Sequence, residues 1–179
     1  LPFCWTGANS WYPQFFCIVI NILSIKNCDF RNGRLILNGD NNIIENNSFL
    51  TILPEGNNLR EIQVNGNQNT VKFNTVFNGI DVTGNFNEIN DNMVNMGIGN
   101  GISIVGNGGN ISYNEVTNAS NHGIFIDGYD QMIDGNKILS SMNYALYLGT
   151  MNGNTVTEAN ELKGSCVVLY SNLIRTKEN

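Results

Sequence analysis

The single histidine of the chain, His122, stands in Asn121-His122-Gly123-Ile124, and Asp127, Asp130 and Asp134 follow within twelve residues. A histidine beside carboxylates can move protons near neutral pH. Three acids this close can also offer the oxygen-rich ligand set that calcium requires. Asp81 is a further acid, alone between Ile80 and Val82. Hydrolysis of a glycosidic bond needs two carboxylates flanking it, roughly 5 to 9.5 Å apart. Asp81, His122 and Asp127 are therefore the residues expected near a catalytic site, should there be one. Asp127, Asp130 and Asp134 are the candidate ligands for calcium. Two aromatics, Phe125 and Tyr147, lie 22 residues apart and suggest a different chemistry, the packing of a ring against a sugar face or a protein partner.

The spacing of 22 belongs to the whole chain. Leu35, Ile62, Ile80, Ile102, Ile124, Leu146 and Val167 each open a short apolar stretch, and they step by 27, 18, 22, 22, 22 and 21. A strand-sized unit recurring at this period is the mark of a solenoid. A second column precedes each such strand, as apolar residue, two spacers, Asn, spacer, apolar residue. It reads Ile44-x-x-Asn47-x-Phe49, Val71-x-x-Asn74-x-Val76, Ile89-x-x-Asn92-x-Val94, Ile111-x-x-Asn114-x-Val116 and Ile133-x-x-Asn136-x-Ile138. Val156, Asn160 and Leu162 repeat it with one extra residue, and Ile25, Cys28 and Phe30 repeat it with Cys for Asn.

Side chains alternate across a strand, so apolar residues at i and i+2 share the inward face. The outward column is then Ile36, Gln63, Asp81, Ser103, Phe125, Tyr147 and Val168. Gln63, Asp81, Ser103, Phe125 and Tyr147 are the candidate ligand- or partner-binding residues. Stacked coils would bring Phe125 and Tyr147 about 5 Å apart. The Asn between two strands is expected at a bend, in the left-handed region, bonding its equivalent in the next coil. Gly33, Gly39, Gly66, Gly79, Gly84, Gly101, Gly106, Gly123 and Gly128 are expected at the other corners, where positive φ is inexpensive for glycine. The resulting fold is all-β, a right-handed parallel β-helix of about seven coils and roughly 34 Å.

Residues 1–16 carry both tryptophans and no repeat signal, and read as an N-terminal cap or docking segment, with Trp5, Trp11 and Tyr12 as docking residues. Residues 17–171 form the β-helix, and 172–179 a polar tail or cut edge. Thr51 to Glu61, with Pro54 and Gly56, reads as an extra loop on one coil. Phe15 to Ile25 is the most apolar run, and is too short to span a membrane.

Charged residues make up 13% of the 179, and the net charge is −6. Nine basic residues scattered along an acidic chain argue against a nucleic-acid partner, which needs clustered Lys and Arg. Polarity comes instead from Asn, of which there are 34. The spacing of Cys4, Cys17, Cys28 and Cys166 matches no zinc pattern. Cys4 and Cys17 could pair in an oxidising compartment, and four small buried residues are the plainer reading.

The pattern G-I-x-φ followed by G/N-N-x-φ-x-x-N-x-φ, over residues 25–169, resembles the right-handed parallel β-helix superfamily of pectate-lyase-like proteins, NosD-like repeat proteins and phage tail spikes. The resemblance implies business with polysaccharides. Asn121-His122-Gly123-Ile124 is similar to the G-H-G-I motif of polygalacturonases. The turns that carry acids in that family correspond here to Asn78-Gly79 and Asn100-Gly101. The expectation is a rigid, non-catalytic module, extracellular, at the cell surface or on a virion or filament. It would bind a glycan or a neighbouring subunit, as a homo-oligomer or part of a larger assembly. The alternative is a polysaccharide lyase or glycoside hydrolase, or a fragment of one.

Overall fold

A computed structural model describes residues 14–19, 21–31, 33–50, 60–95, 99–149, 152–163 and 168–169. Among them there is no helix, and twenty-two short strands form three parallel sheets of eight, seven and seven strands. Every third strand in the chain joins the same sheet, so the backbone winds round three faces as a right-handed parallel β-helix. The strands of the first sheet are Gln14–Val19, Gly33–Asn38, Ile62–Asn65, Ile80–Thr83, Ile102–Val105, Ile124–Asp127, Leu146–Leu148 and Val168–Leu169. Each of the first seven opens a coil of three strands. Six steps of about 4.8 Å separate the first coil from the seventh, a rise of roughly 29 Å.

The register is the one the 22-residue period predicts. Ile36 lies opposite Gln63, Gln63 opposite Asp81, Asp81 opposite Ser103, Ser103 opposite Phe125, and Phe125 opposite Tyr147. Inward residues stack by type: Leu35, Ile62, Ile80, Ile102, Ile124 and Leu146 are all fully buried. So are Ile44, Val71, Ile89 and Ile111 beneath the second sheet. Alternation holds along the first-sheet strands from Gly33–Asn38 to Leu146–Leu148, as in buried-half-buried-buried for Ile124, Phe125 and Ile126.

Two corners of most coils are closed by stacked amides. At the corner between second and third sheets, each Asn Oδ1 accepts from the backbone N–H one coil below. The chain runs from Cys28 to Asn47, Asn74, Asn92, Asn114, Asn136 and Asn160, at 2.9 to 3.1 Å. A second such column joins Leu23, Asn42, Asn69 and Asn87 at the corner between first and second sheets, and resumes as Gly109, Gln131 and Asn154. Where Gly109 supplies no side chain, the longer Gln131 takes up the space that a Cβ there would fill. A third, more exposed column links Asn21, Asp40, Asn67, Asn85 and Asn107. These columns account for much of the asparagine.

The stacked asparagines are not themselves left-handed. The positive φ falls on the residue before each: Asn46, Phe73, Asp91, Tyr113 and Gly135 precede Asn47, Asn74, Asn92, Asn114 and Asn136. That residue makes the bend and leaves the next amide pointing along the rod axis, towards its partner one coil below. The glycine expectation needs a similar correction. Gly101 and Gly123 carry no positive φ. They are required because coils approach closely: a Cβ on Gly101 would stand 2.7 Å from the Gly123 carbonyl oxygen.

Coil length varies at one corner only for most of the rod. Between second- and third-sheet strands the connection is the same from Lys26–Asp29 to Asp134–Lys137. Between third- and first-sheet strands it differs in nearly every coil, from Arg31–Gly33 to Leu50–Ile62. The amide column at that corner is short and more exposed, running only through Asn100, Asn121 and Asn143, so added residues are better tolerated there. The proposed loop falls at this corner, and its residues 51–59 lie outside the described ones.

Candidate binding face

The variable corner runs along one edge of the first sheet, and residues from both line the same face. Arg60, Asn78, Asn100, His122 and Tyr144 each stand two residues before the first inward residue of a first-sheet strand. They form a column beside Gln63, Asp81, Ser103, Phe125 and Tyr147. The two columns change character together along the rod, charged at the lower coils and aromatic at the upper ones.

At the charged end Arg34 donates from Nη2 to Gln63 Oε1. Arg60 Nε is 3.1 Å from Asp81 Oδ1, with only 14% of the arginine side chain exposed. The same guanidinium donates from Nη1 to the backbone carbonyls of Asn78, at 3.1 Å, and Asn100. Arg60 thus reaches upward across two coils. It can do so because Gly79 and Gly99 lie beneath it, and a Cβ on either would come within 2.9 Å of the guanidinium. Burial raises the pKa of Asp81 above the ordinary carboxylate value, and the Arg60 charge opposes that rise.

At the aromatic end four rings stack. Phe125 and Tyr147 are 5.3 Å apart between centroids and within 7° of parallel. His122 lies 4.7 Å from Tyr147 and 5.3 Å from Tyr144, nearly parallel to the latter at 8°. All four are half-buried. Burial among these rings lowers the His122 pKa, which favours the neutral imidazole. Its Nδ1 is buried and takes no hydrogen bond among the described residues. Rings stacked along the axis turn their edges outward. Phe125 is the lowest ring of its column and its partner one coil below is Ser103, which carries a small hydroxyl and no ring. The face therefore presents an aromatic step, with a hydroxyl, an amide and an ion pair below it.

The structure brings Gln63, Asp81, Ser103, Phe125 and Tyr147 into one line, and places His122 beside them. Arg60 and Tyr144 were missed by the sequence reading. Their signal was present, one column earlier in the same 22-residue period, but nothing in residue type marked that column as outward.

The other candidates separate. Asp81 and Asp127 occupy different columns two coils apart, so these two carboxylates do not flank a shared point on adjacent coils. Asp130 is exposed at a left-handed bend, φ 57°. Asp134 belongs to the second sheet, where Tyr113 and Thr157 donate to it. The expected calcium site from Asp127, Asp130 and Asp134 does not form, because a β-helix sends residues close in sequence to different faces. Among the described residues no three His, Cys, Asp or Glu side chains converge to hold a metal ion. Cys28 is buried, its thiol 3.3 Å from the Lys26 carbonyl oxygen. Trp5, Trp11, Tyr12, Cys4 and Cys166 lie outside the described residues. No protein-family model, no curated protein and no solved structure matches this chain.

Proposed function

We propose that the protein is a rigid binding module whose first-sheet face recognises a polysaccharide. The observation that carries this is the stack of His122, Phe125, Tyr144 and Tyr147, continuous along the rod with Ser103, Asp81, Arg60 and Gln63. A sugar ring offers one apolar C–H face and a rim of hydroxyls. The first packs on an aromatic surface and the second bonds to acids, amides and hydroxyls. From Asp81 to Tyr147 the strip rises three coils, about 14 Å, which suits a chain of sugars more than a single one. The position of these residues beside the variable corner adds support, since length changes there alter the surface without disturbing the core. The likeness to pectate-lyase-like proteins, and an extracellular or virion setting, belong to this same proposal.

The test is retention on a panel of neutral and acidic polysaccharides, read together with newly formed reducing or unsaturated ends. Retention without new ends is expected. Tyr147→Ala and Phe125→Ala should each weaken retention roughly tenfold with the fold intact, the worth of one lost aromatic contact. Unchanged retention in both variants would overturn the reading. New ends would favour the second reading, a polysaccharide-cleaving enzyme using Asp81, whose raised pKa is the observation in its favour.

A further inference from the structure

The seventh coil departs from the repeat, and a cavity of about 390 Å³ lies where it does so. The extra residue between Val156 and Asn160 pushes Glu158 and Ala159 outward as a turn. In earlier coils the same corner is a single bent residue. The displaced turn walls off part of the outer face of the second sheet. The remaining walls are Asn110 and Ser112 from one coil and Met132 and Asp134 from the next. The aromatic wall is Tyr113, 60% exposed. Its ring occupies space left by Gly135 one coil above, where a Cβ would meet Tyr113 Cε1 at 2.5 Å. Asp134 is held from both sides: Tyr113 Oη donates to Oδ2 at 3.2 Å, and Thr157 Oγ1 donates to Oδ1.

We infer that this groove is a second binding site, for a single sugar ring carrying an amine. Its volume is that of a small-ligand site. Tyr113 and the exposed Met132 supply an apolar surface for a C–H face. Asn110 supplies an amide for hydroxyls, and Ser112, whose own hydroxyl donates to Asn90, supplies an acceptor. Its charged residues are the acids Asp134 and Glu158, and among the described residues no basic one lines it. An ammonium group is therefore favoured there and a carboxylate disfavoured. The site is separate from the polysaccharide face and does not depend on it.

A matched series tests the inference, because glucosamine, glucose and glucuronate share a ring and differ in charge. Each is titrated into the full chain and followed by amide shifts in NMR. Saturable shifts at Tyr113, Gly135 and Thr157 are expected, with glucosamine bound roughly two- to fivefold tighter than glucose, and glucuronate weakest. Raised salt should narrow that difference. Glu158→Gln should bring glucosamine close to glucose. Tyr113→Asn should weaken both, and it preserves the backbone, since Asn27 and Asn46 hold the same corner with φ of 56° and 55°. No saturable shift at roughly tens of millimolar, an inverted charge order, or Tyr113→Asn binding like the parent would each overturn it. Shifts confined to His122, Phe125 and Tyr147 would overturn this groove while supporting the first-sheet face.

Discussion

Replacement of Asn114 in the fifth coil tests what couples one coil to the next. Its side chain is 1% exposed. It donates from Nδ2 to Asn136 Oδ1 at 2.9 Å, to the Ile89 carbonyl at 2.7 Å and to the Ser112 carbonyl at 3.1 Å. It accepts at Oδ1 from the backbone N–H and the Nδ2 of Asn92, both at 3.0 Å. A buried hydrogen bond contributes about 1 kcal/mol net, and an orphaned buried donor costs about 1 to 3 kcal/mol. Asn114→Ala removes all these bonds and strands the Asn92 N–H, so a loss of about 4 kcal/mol is expected. That is a large part of the total stability of a domain, about 5 to 15 kcal/mol. Asn114→Leu restores apolar volume but not the acceptor, and should lose nearly as much. Because coils contact only their neighbours, weakening the middle should also split the transition into two. Denaturant unfolding followed by circular dichroism measures both effects. Asn143→Ala, at an exposed asparagine whose side chain bonds Asn121 among the described residues, should stay within about 0.5 kcal/mol of the parent. A loss below about 1 kcal/mol for both Asn114 variants, with a single transition, would refute the claim that stacked amides hold the coils together.

Two further outcomes follow from the corners. Ile22 has φ 62° and is 84% exposed, a β-branched residue in the left-handed region with no burial to offset it. Ile22→Asn should stabilise the chain by about 1 kcal/mol, read as a higher denaturant midpoint; no gain would mean that the left-handed backbone at this corner carries no such strain. Burial lowers the His122 pKa, so on acidification the unfolded chain binds this proton first. The His122 contribution is therefore complete above pH of about 6.5 and is lost as pH falls through the lower folded value. His122→Phe keeps a ring in the stack and should show a smaller loss of stability between pH of about 7.5 and 5.5; an equal loss would clear His122 as its source.

Much of the architecture was legible because it rests on spacing. A period of two sends Ile124 and Ile126 inward and Phe125 outward. A period of 22 places Phe125 over Ser103 and under Tyr147 whatever the handedness of the corner. The regular Asn of the second column could be read as a stacked amide for the same reason. The bend residue could not, because Phe73, Asp91 and Tyr113 share no chemistry that announces positive φ. The calcium expectation failed at the same place. Closeness in sequence says little about closeness in space once the chain turns a corner every few residues.

The sequence by itself determined the strands, their register and the identity of the outward column, since these depend only on alternation along a strand and repetition between coils. The tertiary structure alone decided the rest. Arg60 reaches Asp81 and two carbonyls of higher coils because Gly79 and Gly99 leave it room. Tyr144 joins His122 because the variable corner aims both at one face. One added residue after Val156 opens a groove because the corner around it is otherwise fixed by stacked amides. Each of these depends on where a side chain's free end lies relative to backbone from another coil, and spacing along the chain does not carry that information.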